Sequence, residues 1–144
     1  MPSQEKLIEA INNWANLYMF RSLSEFFSFL NAARIPMQQA YVLTYIYHNG
    51  SSKISKICEH MLVSPAAASQ MIDRLEKQKL VQRVPDQRDG RVRNVILTEQ
   101  GEILVKESIA ARQNWINDIP AKLNHVEMEQ ITRALQQLSA AYRK

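Results

Sequence analysis

The segment Asp86–Gly101, DQRDGRVRNVILTEQG, constrains this chain more than any other stretch. Only three glycines occur in 144 residues, which suits a mostly helical chain. Here one of them, Gly90, stands among charges between two short apolar runs, Leu80–Val84 and Val92–Leu97. Two such runs around a glycine-bearing turn predict a β-hairpin. Thr98, directly after the second run, predicts a helix start. The expected fold class is therefore mainly α with a small β-hairpin. The turn carries Arg88, Arg91 and Arg93 beside Asp86 and Asp89. Arginines at a hairpin tip are placed to reach phosphates or a narrow minor groove.

Upstream, apolar residues recur at helical spacing. Leu7, Ile11, Trp14 and Tyr18, then Phe26, Phe27, Leu30 and Ala33, predict one long helix or two collinear ones over Ser3–Ala33. About 30 residues at ~1.5 Å each make a rod of roughly 45 Å. A globule of this chain length has a radius of gyration of only about 14–15 Å. So long an apolar helix is expected to pack on something outside its own globule, most simply a second copy of the chain. Pro36 suits the first turn of a helix over 36–48, ended by Asn49-Gly50. Downstream of the hairpin, a helix over 99–118 is limited by Pro120, and Asn124 with Glu127 marks a capping-box start for a last helix ending near Tyr142.

Between these lie two short helices. One covers about 53–61, with Ile54, Ile57, Cys58 and Met61 on one face. The turn Leu62-Val63 follows, and then Ser64-Pro65 opens a helix to about Gln78, with Ser as N-cap and Pro in the first turn. The pair reads as a helix-turn-helix, whose second helix enters the major groove by its N-terminus. Ser64, Pro65, Ala66, Ala67, Ser69, Gln70 and Arg74 are the candidate DNA-facing residues there. Small side chains let a helix approach base edges, alanine methyls can meet thymine methyls, and Gln70 can pair bidentately with adenine. Arg74, one turn on, suits a phosphate. The plainer alternative is an amphipathic helix with a solvated polar face, and the hairpin downstream argues against it.

Charge is concentrated in the same region. From Lys53 to Arg93 there are nine Lys or Arg against five Asp or Glu, a surplus equal to the whole chain's net +4. That balance is compatible with nucleic acid. The single cysteine, Cys58, excludes an intrachain disulfide and reads as a buried, inert thiol rather than a redox switch. The polar N-terminus and the lack of an apolar run near 18 residues predict a cytoplasmic protein with no membrane partner. His48, His60 and His125 are scattered without ligand spacing, so no metal is expected. There is no nucleophile–base pair, P-loop or Gly-rich cofactor loop, so neither an enzyme nor a cofactor is expected.

Asp73-Arg74-Leu75-Glu76-Lys77, Leu80-Val81-Gln82-Arg83, Asp86-Gln87-Arg88-Asp89-Gly90-Arg91 and Leu97-Thr98-Glu99-Gln100-Gly101 together resemble the signature of the MarR family of winged-helix regulators. The helix order on both sides is also similar, so the resemblance covers nearly the whole chain. It implies a single domain over 1–144, with a winged helix-turn-helix lobe over 36–97 and a helical dimerisation region over 1–35 and 98–144. It implies a homodimer on a pseudo-palindromic operator in double-stranded DNA, with recognition helices in major grooves and wings in minor grooves. The function implied is transcriptional regulation, most often repression. In that reading Arg88 or Arg91 reaches the groove or phosphates, while Asp86 and Asp89 stabilise the wing by orienting the arginines through charge-assisted hydrogen bonds. The alternative is a winged helix used only for protein–protein contact, which the cluster Arg88–Arg91–Arg93 argues against.

Two positions depart from the family pattern. Lys79 stands where a helix-ending glycine is usual, so it must either adopt a costly left-handed conformation or end the helix differently. Gln70 stands where many relatives carry an arginine, which should alter base preference. Many members also bind small aromatic acids between the dimerisation layer and the DNA lobes. Trp14, Tyr18, Arg21, Tyr41 and Tyr45 form a conceivable effector pocket of that kind, and the plainer reading makes these aromatics core or dimer packing.

Overall fold

A computed structural model describes residues 3–143. Ser3 opens α1, Gln4–Ala33, by accepting the Lys6 amide, and the helix runs unbroken for 30 residues. Pro36 precedes α2, Met37–Asn49. A two-residue strand β1, Ser52–Lys53, leads into α3, Ile54–Met61. α4, Pro65–Lys77, follows with Ser64 as N-cap and proline in its first turn. The antiparallel strands β2, Val81–Pro85, and β3, Arg93–Leu97, form the hairpin. α5, Glu99–Gln113, and α6, His125–Tyr142, complete the order.

The helices form where the apolar spacing and the caps place them. Two details differ from expectation. The sheet has three strands in the order β1-β3-β2, because Ser52–Lys53 pairs with the otherwise open edge of β3. Nothing in a Ser-Lys dipeptide predicts a strand; the free edge supplies the hydrogen bonds. α5 stops at Gln113, not near residue 118, and tightens into 3-10 turns over Asn114–Asp118 and Pro120–Lys122. Asn, Trp, Ile, Asn and Asp are all modest helix formers, and Pro120 cannot continue the hydrogen-bond ladder.

Two compact units are present, one ending at Arg112 and one beginning at Gln113. The first is built on one core. Val42, Leu43 and Ile46 of α2, Ile57 of α3, Ile72 and Leu75 of α4, and Val81 and Val95 of the sheet are fully buried. Phe26 and Leu30 of α1 and Val105 of α5 join it. Arg112 of α5 lies over the Phe26 ring, 4.8 Å from its centroid, a cation–π contact between the two helices. The second unit contains α6, whose start has both halves of the Asn124–Glu127 capping box.

Three helices of the first unit end in the same way. Arg34, Leu62 and Lys79 all adopt left-handed backbone, with φ of 56°, 55° and 60°. After α4, the Lys79 amide donates to the Glu76 carbonyl and the Leu80 amide to that of Leu75, both at 2.9 Å. Equivalent pairs close α1 through Arg34 and Ile35, and α3 through Leu62 and Val63. These are Schellman closures, normally built on glycine. Of the two outcomes open to Lys79, it takes the strained left-handed conformation.

Candidate nucleic-acid interface

The N-terminal turn of α4 presents a small, accessible surface. The Ser64 hydroxyl accepts the Ala67 amide at 3.2 Å, which orders the turn. Ser64, Pro65, Ala66, Ala67, Gln70 and Arg74 are exposed and Ser69 is half-buried. Ala68, Ile72 and Leu75 are buried on the opposite face. The predicted helix thus separates into a core stripe and an open face, and all seven candidate residues lie off the core stripe.

The hairpin is fixed to this helix by one side chain that sequence reasoning missed. Arg83, on β2, donates to Asp73 at 2.6 Å and makes a second, shorter contact with Glu76. The Arg83 amide also donates to the Glu76 carboxylate at 3.3 Å. Burial disfavours the guanidinium's charge, but hydrogen bonds and attraction from Asp73 and Glu76 outweigh it and hold its pKa above the ordinary value. Asp73 and Glu76 lie three apart on α4, one helical face, within reach of a β2 side chain. That spacing was the available signal.

A second anchor sits at the other end of the hairpin. The Thr98 hydroxyl donates to the Lys79 carbonyl at 2.5 Å and accepts the Gly101 amide at 3.1 Å. Gly101 lies against the chain at Leu80: a Cβ there would stand 2.0 Å from the Leu80 carbonyl oxygen. The glycine in Leu97-Thr98-Glu99-Gln100-Gly101 is therefore required by close backbone approach, not by conformation.

The wing turn, residues 86–92, corrects one expectation. It does not rest on a left-handed glycine, because Gly90 does not take positive φ. Instead the Asp86 amide donates to the Val92 carbonyl at 2.8 Å, and carboxylates organise what lies between. Asp86 accepts the Arg88 and Asp89 amides at 2.8 and 3.1 Å and the Asn94 side-chain amide at 3.0 Å. Asp89 accepts the Arg91 amide at 3.0 Å. Asp86 and Asp89 were expected to orient the arginine side chains; they bind main-chain amides. A short acid reaches the backbone two residues on, whereas an exposed arginine ion pair gains little in water. The Arg88 and Asp89 amides, with Asn94, hold the Asp86 carboxyl below its ordinary pKa.

Because the acids are occupied, the guanidiniums of Arg88, Arg91 and Arg93 are exposed and make no ion pair among the described residues. They project from a turn held rigid by its own carboxylates and tied to α4 by Arg83.

Of the five proposed effector residues, Tyr41 and Tyr45 flank His60 of α3: the Tyr41 hydroxyl is 2.8 Å from His60 Nε2, its ring stacks on the imidazole at 5.6 Å, and the Tyr45 ring lies tilted against it at 4.4 Å. Trp14 and Arg21 are exposed on α1 and Tyr18 is half-buried. A small apolar cleft in the lobe is lined by residues such as Phe29, Ile35, Leu43 and Leu104, and by none of the five. Cys58 is buried. Among the described residues, no group of three or more His, Cys, Asp or Glu could hold a metal, and no helix is long and apolar enough to cross a membrane.

Residues 35–92, from the end of α1 to the wing, match the MarR family model. The chain is 35% identical over 103 residues to the HTH-type transcriptional repressor MdtR of Bacillus subtilis, a match that spans 72% of this chain and 66% of MdtR. The chain belongs to the MarR family of transcriptional regulators. Its likeness to solved members extends over nearly all of it. The YusO protein of Bacillus subtilis is 29% identical, with a TM-score of 0.67 over 96% of this chain and 99% of YusO. The MepR F27L mutant of S. aureus, solved bound to an oligodeoxyribonucleotide, has a TM-score of 0.72 over 92% of this chain and 97% of that one. At 20% identity, the MepR likeness is one of fold.

Proposed function

We propose that this MarR-family protein is a homodimeric repressor that binds a pseudo-palindromic operator in double-stranded DNA. In this reading Ser64, Pro65, Ala66, Ala67, Ser69 and Gln70 face base edges in the major groove. Arg74 meets a phosphate, and Arg88, Arg91 and Arg93 bind the backbone or the minor groove. The observation that carries the reading is the set of uncompensated wing guanidiniums, on a turn whose own acids bind main-chain amides. Cations held this way lose no protein partner when they meet phosphate. The MdtR likeness supports repression, and the MepR complex is a related fold on DNA.

The dimer reading rests on two exposed apolar faces. α1 exposes Leu17, Met19, Phe20 and Phe27, all more than half accessible. α6 is 18 residues long and buries no side chain, though Val126, Ile131, Leu135 and Leu138 recur along it. Apolar faces open to water are stabilised by burial against a second copy, so residues 1–35 and 98–144 are assigned to dimerisation and 36–97 to DNA.

The test is binding to duplexes upstream of the protein's own gene, measured against salt. Arg88→Ala is expected to weaken many sequences alike and to flatten the salt slope by about one unit. No salt-sensitive binding by the wild type to any duplex would favour a protein-contact module instead.

A further inference from the structure

Leu62 occupies the turn between α3 and α4 and has no evident reason within the chain to be leucine. Its φ of 55° places it in left-handed backbone, where a side chain is strained and glycine is not. Burial does not offset that strain, because the residue is 92% exposed. The other two non-glycine residues in the same conformation, Arg34 and Lys79, carry charges that water solvates. Leu62 alone sets an apolar side chain, fully hydrated, on a strained backbone. Single exposed apolar residues are common on surfaces; one that is also strained points to a role outside the folded chain. Its place is specific as well. It stands two residues before the N-cap Ser64, and the exposed residues that follow it, Pro65, Ala66 and Ala67, are also apolar.

We propose that Leu62 is a DNA-contacting residue: it extends the apolar edge of α4 and buries its side chain against a thymine methyl or a deoxyribose at the rim of the major groove. The inference rests on the DNA-binding reading above. Hydration of the side chain in the free protein becomes affinity when the duplex covers it. Covering most of a leucine is worth about tenfold or more in the dissociation constant.

The distinguishing signature is a variant that gains stability and loses affinity. Leu62→Gly and Leu62→Asn both suit left-handed backbone. Both are expected to raise the urea midpoint of the full chain while weakening a selected operator duplex about tenfold. Leu62→Met should retain binding. Replacing thymine by deoxyuridine through the half-site separates the two sources. An affinity loss of about fourfold at one position, absent in Leu62→Asn, assigns the contact to a methyl; no such position assigns it to sugar.

If Leu62→Gly and Leu62→Asn bind as tightly as wild type, the proposal is overturned and the DNA-binding reading stands. If their affinity falls only because the dimer dissociates, as judged by light scattering, it is also overturned. If the wild type selects no duplex at all, the DNA-binding reading fails and takes this inference with it.

Discussion

Removing the Arg83 side chain tests whether the wing is held by a fork of charge or only by its strands. Arg83 retains 24% side-chain exposure, Asp73 53% and Glu76 40%. Hydrogen bonds to charged groups contribute about 1.5–3 kcal/mol when sheltered, and exposed ion pairs about 0–1 kcal/mol. These partners lie between the two regimes, so Arg83→Ala is expected to cost about 1–2 kcal/mol. In a domain of this size that lowers the melting temperature by about 3–8 °C. The pH dependence has a definite sign. A guanidinium whose folded pKa is raised contributes stability below its unfolded pKa and loses it only as pH rises through the folded one. That window lies far above the range of ordinary buffers, so the guanidinium's own contribution is constant in them.

Operator affinity should fall because the wing is no longer aimed. The salt slope should flatten as well, because misaimed wing arginines leave phosphates without a cation. A urea-denaturation cycle of Arg83→Ala, Glu76→Ala and the double variant should give a coupling of about 1 kcal/mol. Effects that add within about 0.3–0.5 kcal/mol, or an operator affinity equal to wild type, would refute this role for Arg83.

Three further outcomes follow from particular contacts. Gly101→Ala places a methyl against the Leu80 carbonyl and should cost about 3 kcal/mol or more, read from the urea midpoint; a loss below ~1 kcal/mol would contradict the close approach. Lys79→Gly should raise stability by about 1 kcal/mol with an unchanged denaturant slope, because it relieves left-handed strain without altering the helix closure. Asp86→Ala should release the Arg88 and Asp89 amides, seen as faster hydrogen exchange at both. In the wild type the Asp86 carboxyl is depressed, so its contribution is present above the unfolded pKa and is lost as pH falls through the folded one. Amide protection in the wing should therefore persist through the ordinary carboxylate range and fade only at a lower pH.

Much was determined by the sequence alone. Local rules suffice for a helix whose cap and apolar stripe lie within one window. Hence α1, α2, α4 and the capping box of α6 fall where Ser3, Pro36, Ser64 and Asn124 place them. The open face of α4 follows from the same periodicity, because Ala68, Ile72 and Leu75 fix which side is core. Tertiary structure decided whatever depends on a partner distant in sequence. β1 exists because β3 offers an edge to Ser52–Lys53. The Arg83 fork exists because the hairpin returns β2 to the α4 face bearing Asp73 and Glu76. Gly101 is needed only because α5 starts against Leu80. Composition alone could not say whether the wing acids would bind guanidiniums or amides. Reach and hydration settle it, since a short carboxylate closes its own turn while a long arginine stays in water. The charged turn was legible as a sequence; that its cations are left free of its anions was decided by the fold.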